Sequence, residues 1–261
     1  MRVTLLQRKA NVDKEQFQSE LDTAIRSVAT ALSATAKFSA FSKRGWTTIN
    51  VEGDDSEVLV ELLSRKFGLA VTDANKIESY GNYQGFIQDI SSDLLVDIGI
   101  ELLEAILVTV KSSSLLAQLA DGKRSLPANY VADCYGMLPD LPISIRLSKT
   151  VTSATQLQGW LSDSQISLFS DWIRCGLERI QAFDCLPAQL SHAIREARLE
   201  RDIVGTDHLS LTTHSLVCKI GTNAVGLIPR LGAILRRSRL VPFVPQRIEE
   251  KCRVWRSSFV H

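Results

Sequence analysis

The stretch that decides the fold reads YQGFIQDI (Tyr83–Ile90), DLLVDIGI (Asp93–Ile100) and AILVTV (Ala105–Val110). Each run is six to eight residues long, rich in aliphatic and β-branched side chains, and set off from the next by polar residues. Short runs of this kind are strands, and several in succession with turns between them make a small barrel. Ser112–Leu119 follows as a helical turn, Asp121-Gly122 as a turn and Asn129–Leu138 as a short helix. Pro142 then leads into a closing strand, ISIRL (Ile143–Leu147). A membrane span is excluded here, because Leu94–Val110 carries Asp97, Glu101 and Glu104, whereas a bilayer crossing needs about 20 nearly uncharged residues.

Upstream, Arg2–Gln7 alternates as a half-buried strand does. From Asp13 the period changes: Phe17, Leu21, Ile25, Val28 and Leu32 recur at three-to-four spacing, giving one apolar stripe on a helix that ends near Lys37. WTTINVE (Trp46–Glu52) is β-branched and alternating, hence a strand. Asp54 with Glu57 reads as a capping box, and Gly68 ends a second helix that carries Val58, Leu62 and Phe67. The economical reading is a βαβα module, half of a ferredoxin-like fold. Asn75–Asn82 is polar and turn-rich, as a linker would be.

Downstream, Ser153–Glu200 reads as helical. Ile166, Phe169, Ile173, Leu177 and Ile180 form one stripe, and Leu190, Ile194 and Ala197 form another after Pro187. Beyond Arg201 the β pattern returns in Asp202–Leu211 and Ser215–Ile220. A short segment, Ile228–Arg237, and a Pro-containing tail with Val241, Phe243 and Val244 complete the chain. The expected fold class is α+β: a βαβα module (1–74), a small OB/S1-like barrel (75–150), a helical connector (151–200) and a basic β-containing module (201–261).

Composition agrees with a soluble globular protein. The 261 residues are 45% hydrophobic and 23% charged, with a net charge of +1. Disordered, collagenous and disulfide-knot classes are therefore excluded. MRVTLLQRKA, at the start, has no apolar signal core. The five cysteines are odd in number and scattered without a CxxC pair, which suggests reduced thiols in the cytoplasm. Charge is uneven along the chain. Residues 51–110 hold 12 acidic and 3 basic side chains, a net of −9, and residues 201–261 hold 10 basic and 4 acidic, a net of +6. Either a nucleic-acid surface or attraction between two parts of one chain produces such asymmetry.

Two stretches align without a gap: DLLVDIG (Asp93–Gly99) and SLVCKIG (Ser215–Gly221). Each precedes an apolar run, AILV from Ala105 and VGLIP from Val225, and then a leucine-containing segment. This order resembles the central part of an S1-type OB barrel, in which a bent strand takes a glycine at its corner. CKIGTNAVGLIPRLG (Cys218–Gly232), with AQLADGK (Ala117–Lys123), resembles an archaeal protein family of unknown function. That resemblance implies a cytoplasmic archaeal protein and brings no activity and no residue of known role.

No catalytic constellation is visible. Gly221-x4-Gly226 has P-loop spacing but lacks the Lys and Ser/Thr that engage phosphate and Mg²⁺, so its glycines read as turn residues and Pro229 as the first residue of a helix. His192, His208, His214 and His261 each read as a lone imidazole without a metal-spaced partner. Cys218 would be a nucleophile beside a histidine, but its alternation with Leu216 and Ile220 puts it on an apolar face. Neither an enzyme activity, a cofactor, a metal nor a small-molecule substrate is expected.

The signal that survives is basic. Arg230, Arg236, Arg237 and Arg239 fall within ten residues, with Lys219 before them and Arg247, Lys251, Arg253 and Arg256 after. Guanidinium groups suit phosphate recognition through their planar fork. On the barrel, Lys123, Arg124 and Arg146 are candidates to line a groove, and Tyr83 and Phe86 to stack on bases. The expectation is a non-catalytic RNA- or nucleic-acid-binding protein acting near translation or transcription, with RNA or a ribonucleoprotein as partner. The alternative is a scaffold or assembly factor that docks a protein.

Overall fold

The computed structural model describes residues 1–73, 76–101, 105–121, 126–148 and 156–252. The chain opens with β1 (Arg2–Arg8), α1 (Lys14–Ala29), β2 (Ala34–Phe41), β3 (Trp46–Gly53) and α2 (Ser56–Phe67), and its three strands form an antiparallel sheet of order β1-β3-β2. Asp13 caps α1 by accepting from the amides of Glu15 and Gln16, and Phe17, Leu21 and Ile25 turn its apolar stripe onto the sheet. The helix stops eight residues before Lys37, and an unexpected strand, β2, takes up the difference. Thr35, Lys37 and Ser39 alternate with Ala34, Ala36 and Phe38 there, a period of two that the helix-favouring alanines obscure. The expected capping box also does not form. Asp55 is the N-cap of α2 and makes no cap bond; its carboxylate instead accepts from the Ser33 amide at 2.7 Å, tying α2 to the start of β2.

The central module is a closed barrel of β4 (Asn82–Asp89), β5 (Leu94–Glu101), β6 (Ala105–Val110), β7 (Pro142–Leu147) and β8 (Gln156–Leu161), ordered β4-β5-β6-β8-β7. Only β6 and β8 run parallel among these pairs. Two helices, α3 (Ser112–Leu119) and α4 (Ala128–Cys134), connect the third strand to the fourth. That is the arrangement of an OB barrel. Ile87, Val96, Ile98, Val108, Ile145 and Leu161 fill the interior, as alternation along each strand requires. β8 lies in the stretch that reads as helical, because its short QLQGWL run follows a polar segment and offers little β-branching.

After α5 (Asp163–Cys175) come β9 (Arg179–Phe183), α6 (Pro187–Glu196), β10 (Ile203–His208), β11 (Thr213–Cys218), α7 (Ala224–Ile234), β12 (Arg239–Phe243) and α8 (Pro245–Lys251). The strands make an antiparallel sheet of order β10-β11-β9-β12. β9 also lies within the expected helical stretch, and every one of its residues is buried. A strand covered on both faces loses its polar alternation, so Ile180 could be absorbed into the helical stripe before it. On one face of the sheet α6 and α7 pack over Ile180, Ala182, Leu216 and Cys218. Against the other, Tyr135, Phe169, Trp172 and Phe243 join the barrel to the sheet by edge-to-face contacts.

The apparent repeat is not a structural one. β5 belongs to the barrel and β11 to the open sheet, and the apolar run after β11 is the helix α7, not a strand. The two glycines differ as well. Gly99 has φ +95° inside β5, where an added Cβ would stand 2.8 Å from Ala70 Cβ, whereas Gly221 has φ +79° in an open turn. Nor does Pro229 begin its helix: Asn223 is the N-cap and Pro229 sits inside α7.

Buried ionic contacts join the modules. Asp97 on β5 has no exposure and accepts from Trp46 Nε1 at 3.0 Å, Arg44 Nη1 at 2.7 Å and the Gly99 amide at 2.9 Å. Arg44 also donates to the Ile100 carbonyl. Arg8 of β1 pairs with Asp140 at 3.4 Å, and Arg239 of β12 pairs with Asp140 at 2.9 Å and with Asp184 at 2.6 Å. Among the described residues the ion pairs that bridge modules are thus Arg44–Asp97, Arg8–Asp140 and Arg239–Asp140. None of these three couples the acidic 51–110 segment to the basic carboxyl-terminal one.

Candidate nucleic-acid interface

α6 and α7 lie side by side on the outer face of the carboxyl-terminal sheet. In α6, Leu190 and Ala193 point inward and leave His192, Arg195 and Glu196 outside. In α7, Leu227 and Leu231 point inward and leave Arg230 outside. Two hydrogen bonds and one shared cleft relate these residues. Arg230 Nη2 donates to the carbonyl of Ala197, next to exposed Arg198. The Lys219 amide donates to the Asp202 carbonyl at 2.7 Å, next to exposed Arg201. At the other end, His192 shares a cleft of about 350 Å³ with Arg236 and Arg237, which follow α7.

The outcome is a basic strip of exposed side chains carried by α6, α7 and the turns around them: Arg236, Arg237, His192, Arg195, Arg230, Arg198, Arg201 and Lys219. α7 spans eleven residues, or roughly 16 Å at 1.5 Å per residue, about the reach of two or three phosphates along one nucleic-acid strand. None of these arginines, nor Lys219, makes an ion pair among the described residues. Glu196, Glu200 and Asp202 are close to the strip in the chain, and Asp13 and Asp184 line the cleft that holds Arg236 and Arg237, so the strip is not uniformly positive. The strip enlarges the expected cluster. Arg195, Arg198 and Arg201 escaped sequence reasoning although their three-residue spacing was visible, because interleaved Glu196 and Glu200 hide the local excess of positive charge.

Arg239 does not belong to the strip. Its Nε and Nη2 are taken by Asp184 and Asp140, its Nη1 donates to the Pro139 carbonyl at 3.2 Å, and its guanidinium lies over the Phe183 ring. Burial disfavours its charge, yet the two carboxylates raise its pKa above the usual arginine value. Of the remaining tail cations, Arg247 lies over the Tyr130 ring, and Arg253 and Arg256 lie outside the described residues.

On the barrel, Lys123 and Arg124 lie outside the described residues. Arg146 stands on the outer face of β7, donates to the Tyr80 carbonyl at 3.3 Å and comes within 3.8 Å of Asp163. Neither expected stacking residue offers a free face. Phe86 is buried against Trp46, with Arg8 over its ring, because the amino-terminal module covers the outer surface of β4 and β5 there. Tyr83 points inward by strand alternation, packs on the barrel core, and its hydroxyl accepts from the Glu78 amide at 2.7 Å. Trp160 is half-buried on β8, directly opposite Arg146 in register, and Tyr80, just before β4, is exposed.

The histidines are not all alone. His208 and His214 approach to 2.9 Å between their Nδ1 atoms, which strand pairing of β10 with β11 brings about. Cys218 sits in the core beneath α6 and α7, and burial pushes its thiol up to about 11; this is the setting of an inert filler, not a nucleophile. Among the described residues no group of three or more metal-ligating side chains occurs, and no helix is long and apolar enough to cross a membrane.

Fold and surface together define a three-module α+β protein, built around a closed five-stranded barrel and presenting a basic helical face. The chain belongs to the DUF2110 family, a domain of unknown function. The model of the DUF2110 central domain matches residues 77–173, which contain the barrel and most of α5, and that of the DUF2110 C-terminal domain matches residues 177–241. Together they span more than half of the chain. A search among curated proteins gives no match.

Proposed function

We propose that the protein is a non-catalytic RNA-binding protein of the archaeal cytoplasm that acts near translation or transcription, with phosphates seated along the α6–α7 strip. The observation that carries this reading is the set of exposed guanidinium groups from Arg236 to Arg201, which have no carboxylate partner among the described residues; Arg230 and Arg236 donate only to carbonyls. Exposed arginines without carboxylate partners are free to exchange hydration for phosphate and to release counterions. On the barrel, the Trp160–Arg146 pair is the place where an unstacked base would lie, an S1-like use of the outer surface.

The test is fluorescence anisotropy of the full chain with single-stranded and duplex RNA across a salt series. Each phosphate contact contributes about 0.7–0.9 to the slope of log K against log salt. Replacing Arg230, Arg236 and Arg237 together by Ala should reduce the slope by about two to three while leaving the fold intact. Affinity indifferent to salt and to this variant rejects the reading. A protein partner is the second reading, and Ile220 and Val225 favour it: they are 82% and 54% exposed beside Lys219. A stoichiometric partner that survives nuclease treatment, with no RNA affinity, would establish it instead.

A further inference from the structure

A cleft of about 670 Å³ opens where all three modules meet. Leu6, Phe67, Leu209 and Leu211 give it an apolar floor, and His208, at the end of β10, stands on its wall. Behind His208 lies His214, fully buried, its ring set edge-on to the first at 4.8 Å between centroids. Both nitrogens of His214 are engaged: Nε2 is 2.9 Å from the Cys185 carbonyl and Nδ1 is 2.9 Å from His208 Nδ1.

These contacts fix every proton of the pair. A carbonyl only accepts, so Nε2 of His214 carries its hydrogen. Burial holds His214 neutral, its pKa lowered to about 4, so its Nδ1 has no hydrogen and must accept. His208 Nδ1 is then the donor. In neutral His208 this leaves Nε2 as a bare acceptor, held in one orientation by the buried partner.

The rest of the wall is selective too. Gln84 is exposed there and offers a carboxamide that both donates and accepts. Glu20 lies on α1 one turn before Ala24, whose carbonyl accepts from Lys66 Nζ at 3.1 Å; Ser27 Oγ takes a second bond from the same amine at 2.9 Å. Lys66 Nζ also lies over the Phe67 ring, 5.6 Å from its centroid, and these two oxygen acceptors leave one of its three N–H groups for a ligand. An apolar floor, an acceptor beside a carboxamide, a carboxylate and an ammonium group match in turn a planar heterocycle, its polar edge, a vicinal diol and a phosphate. We infer that the cleft binds a nucleoside monophosphate, with His208 Nε2 accepting from the base edge, Glu20 from the ribose hydroxyls, and Lys66 facing the phosphate. The volume lies within the range of small-molecule sites. The inference goes beyond the RNA reading and does not depend on it, since the cleft and the α6–α7 strip share no lining residue.

The test uses the full chain with ¹⁵N-labelled histidine, titrated to millimolar concentration with AMP, GMP, CMP and UMP in turn. In its neutral ring His208 should show a hydrogen on Nδ1 and none on Nε2. At least one monophosphate should move its Nε2 resonance saturably, with His192 unmoved. His208→Phe, at an exposed position, should weaken that binding about tenfold, the loss of one hydrogen bond at about 1.4 kcal/mol. Glu20→Gln should weaken it severalfold, and Arg236→Ala with Arg237→Ala should leave it unchanged. A hydrogen on His208 Nε2 in the neutral ring overturns the proposal, as does the lack of a saturable shift with all four monophosphates. So does a response seen only with an oligoribonucleotide, or one abolished by the arginine variants and indifferent to His208→Phe; in that last outcome the RNA reading survives alone.

Discussion

Arg239 Nε lies 2.6 Å from Asp184 Oδ2, and the Asp184 side chain is 1% exposed. The same guanidinium reaches Asp140, which also pairs with Arg8, so one arginine links the carboxyl-terminal sheet to the barrel and, through Asp140, to the first strand of the chain. Its neighbours Arg236 and Arg237, three and two residues earlier, face solvent. Within four residues, then, chemically identical side chains divide between holding the fold and displaying charge.

That division predicts opposite effects of one substitution. Arg239→Ala leaves Asp184 buried with its charge uncompensated apart from the Asn11 amide, and breaking a buried pair in this way costs about 3 kcal/mol. Arg236→Ala and Arg237→Ala should each stay within about 0.5 kcal/mol of the parent. Urea unfolding at neutral pH separates the two cases, and an Arg239→Ala variant as stable as the parent would contradict the assignment.

The seam between the amino-terminal module and the barrel makes a second case. Asp97 receives Trp46 Nε1, Arg44 Nη1 and the Gly99 amide in a fully buried setting. Trp46→Phe removes one donor with little change of shape and should cost about 1–2 kcal/mol. Asp97→Ala strands all three donors and should cost about 3 kcal/mol or more. Because the two share one network, the double variant should lose less than the two losses added together. Additive losses would mean that Trp46 and Asp97 contribute independently.

How much of this was legible in the sequence depended on whether a segment's period survives its surroundings. β4, β6 and β7 were readable because their two sides differ in burial, and β5 because polar residues set it off from its neighbours although Val96–Ile100 is buried on both faces. β9 was not, since burial on both faces erased its alternation and left RIQAF continuous with the helical stripe before it. β2 was lost for the opposite reason: its inward residues are mostly alanines, which carry little hydrophobic signal and favour helix. For the candidate interface, residue type located the cations, but nothing local distinguishes Arg239 from Arg237. The carboxylates that bind Arg239 lie 55 and 99 residues away in the chain, and only the tertiary fold brings them together. Phe86 failed likewise, because its cover, Trp46, belongs to another module.

Thiol chemistry offers a third check. Burial pushes the Cys185 thiol up to about 12 and the Cys218 thiol up to about 11, and Cys134 and Cys252 are buried as well, while Cys175 at the end of α5 is exposed. Reactivity follows thiolate content and access. In the native protein a disulfide reagent at pH 8 should therefore titrate one thiol quickly and the others only as the chain opens. Cys175→Ser should abolish the fast phase, and a fast phase that persists in that variant would place a second cysteine at the surface.

Buried His214 makes stability depend on acid. His214 has its pKa lowered to about 4 by burial, which outweighs the help of the Cys185 carbonyl, with His208 adding to the depression; in the unfolded chain a histidine titrates near 6.5. Below that value the unfolded state binds a proton that folded His214 refuses. Stability is therefore fully present above about pH 6.5 and falls as the pH drops towards 4. Each pH unit in that window removes about 1.4 kcal/mol, so the full interval corresponds to roughly 3 kcal/mol. The carboxylates of Asp97, Asp140 and Asp184 face other partners, and their contribution is common to the parent and a His214→Gln variant. Denaturant unfolding of both proteins between pH 7.5 and 4.5 should show the parent losing about 2 kcal/mol more than the variant. Parallel pH profiles would mean that His214 is protonated in the folded state, with its Nδ1 as the donor to His208 Nδ1.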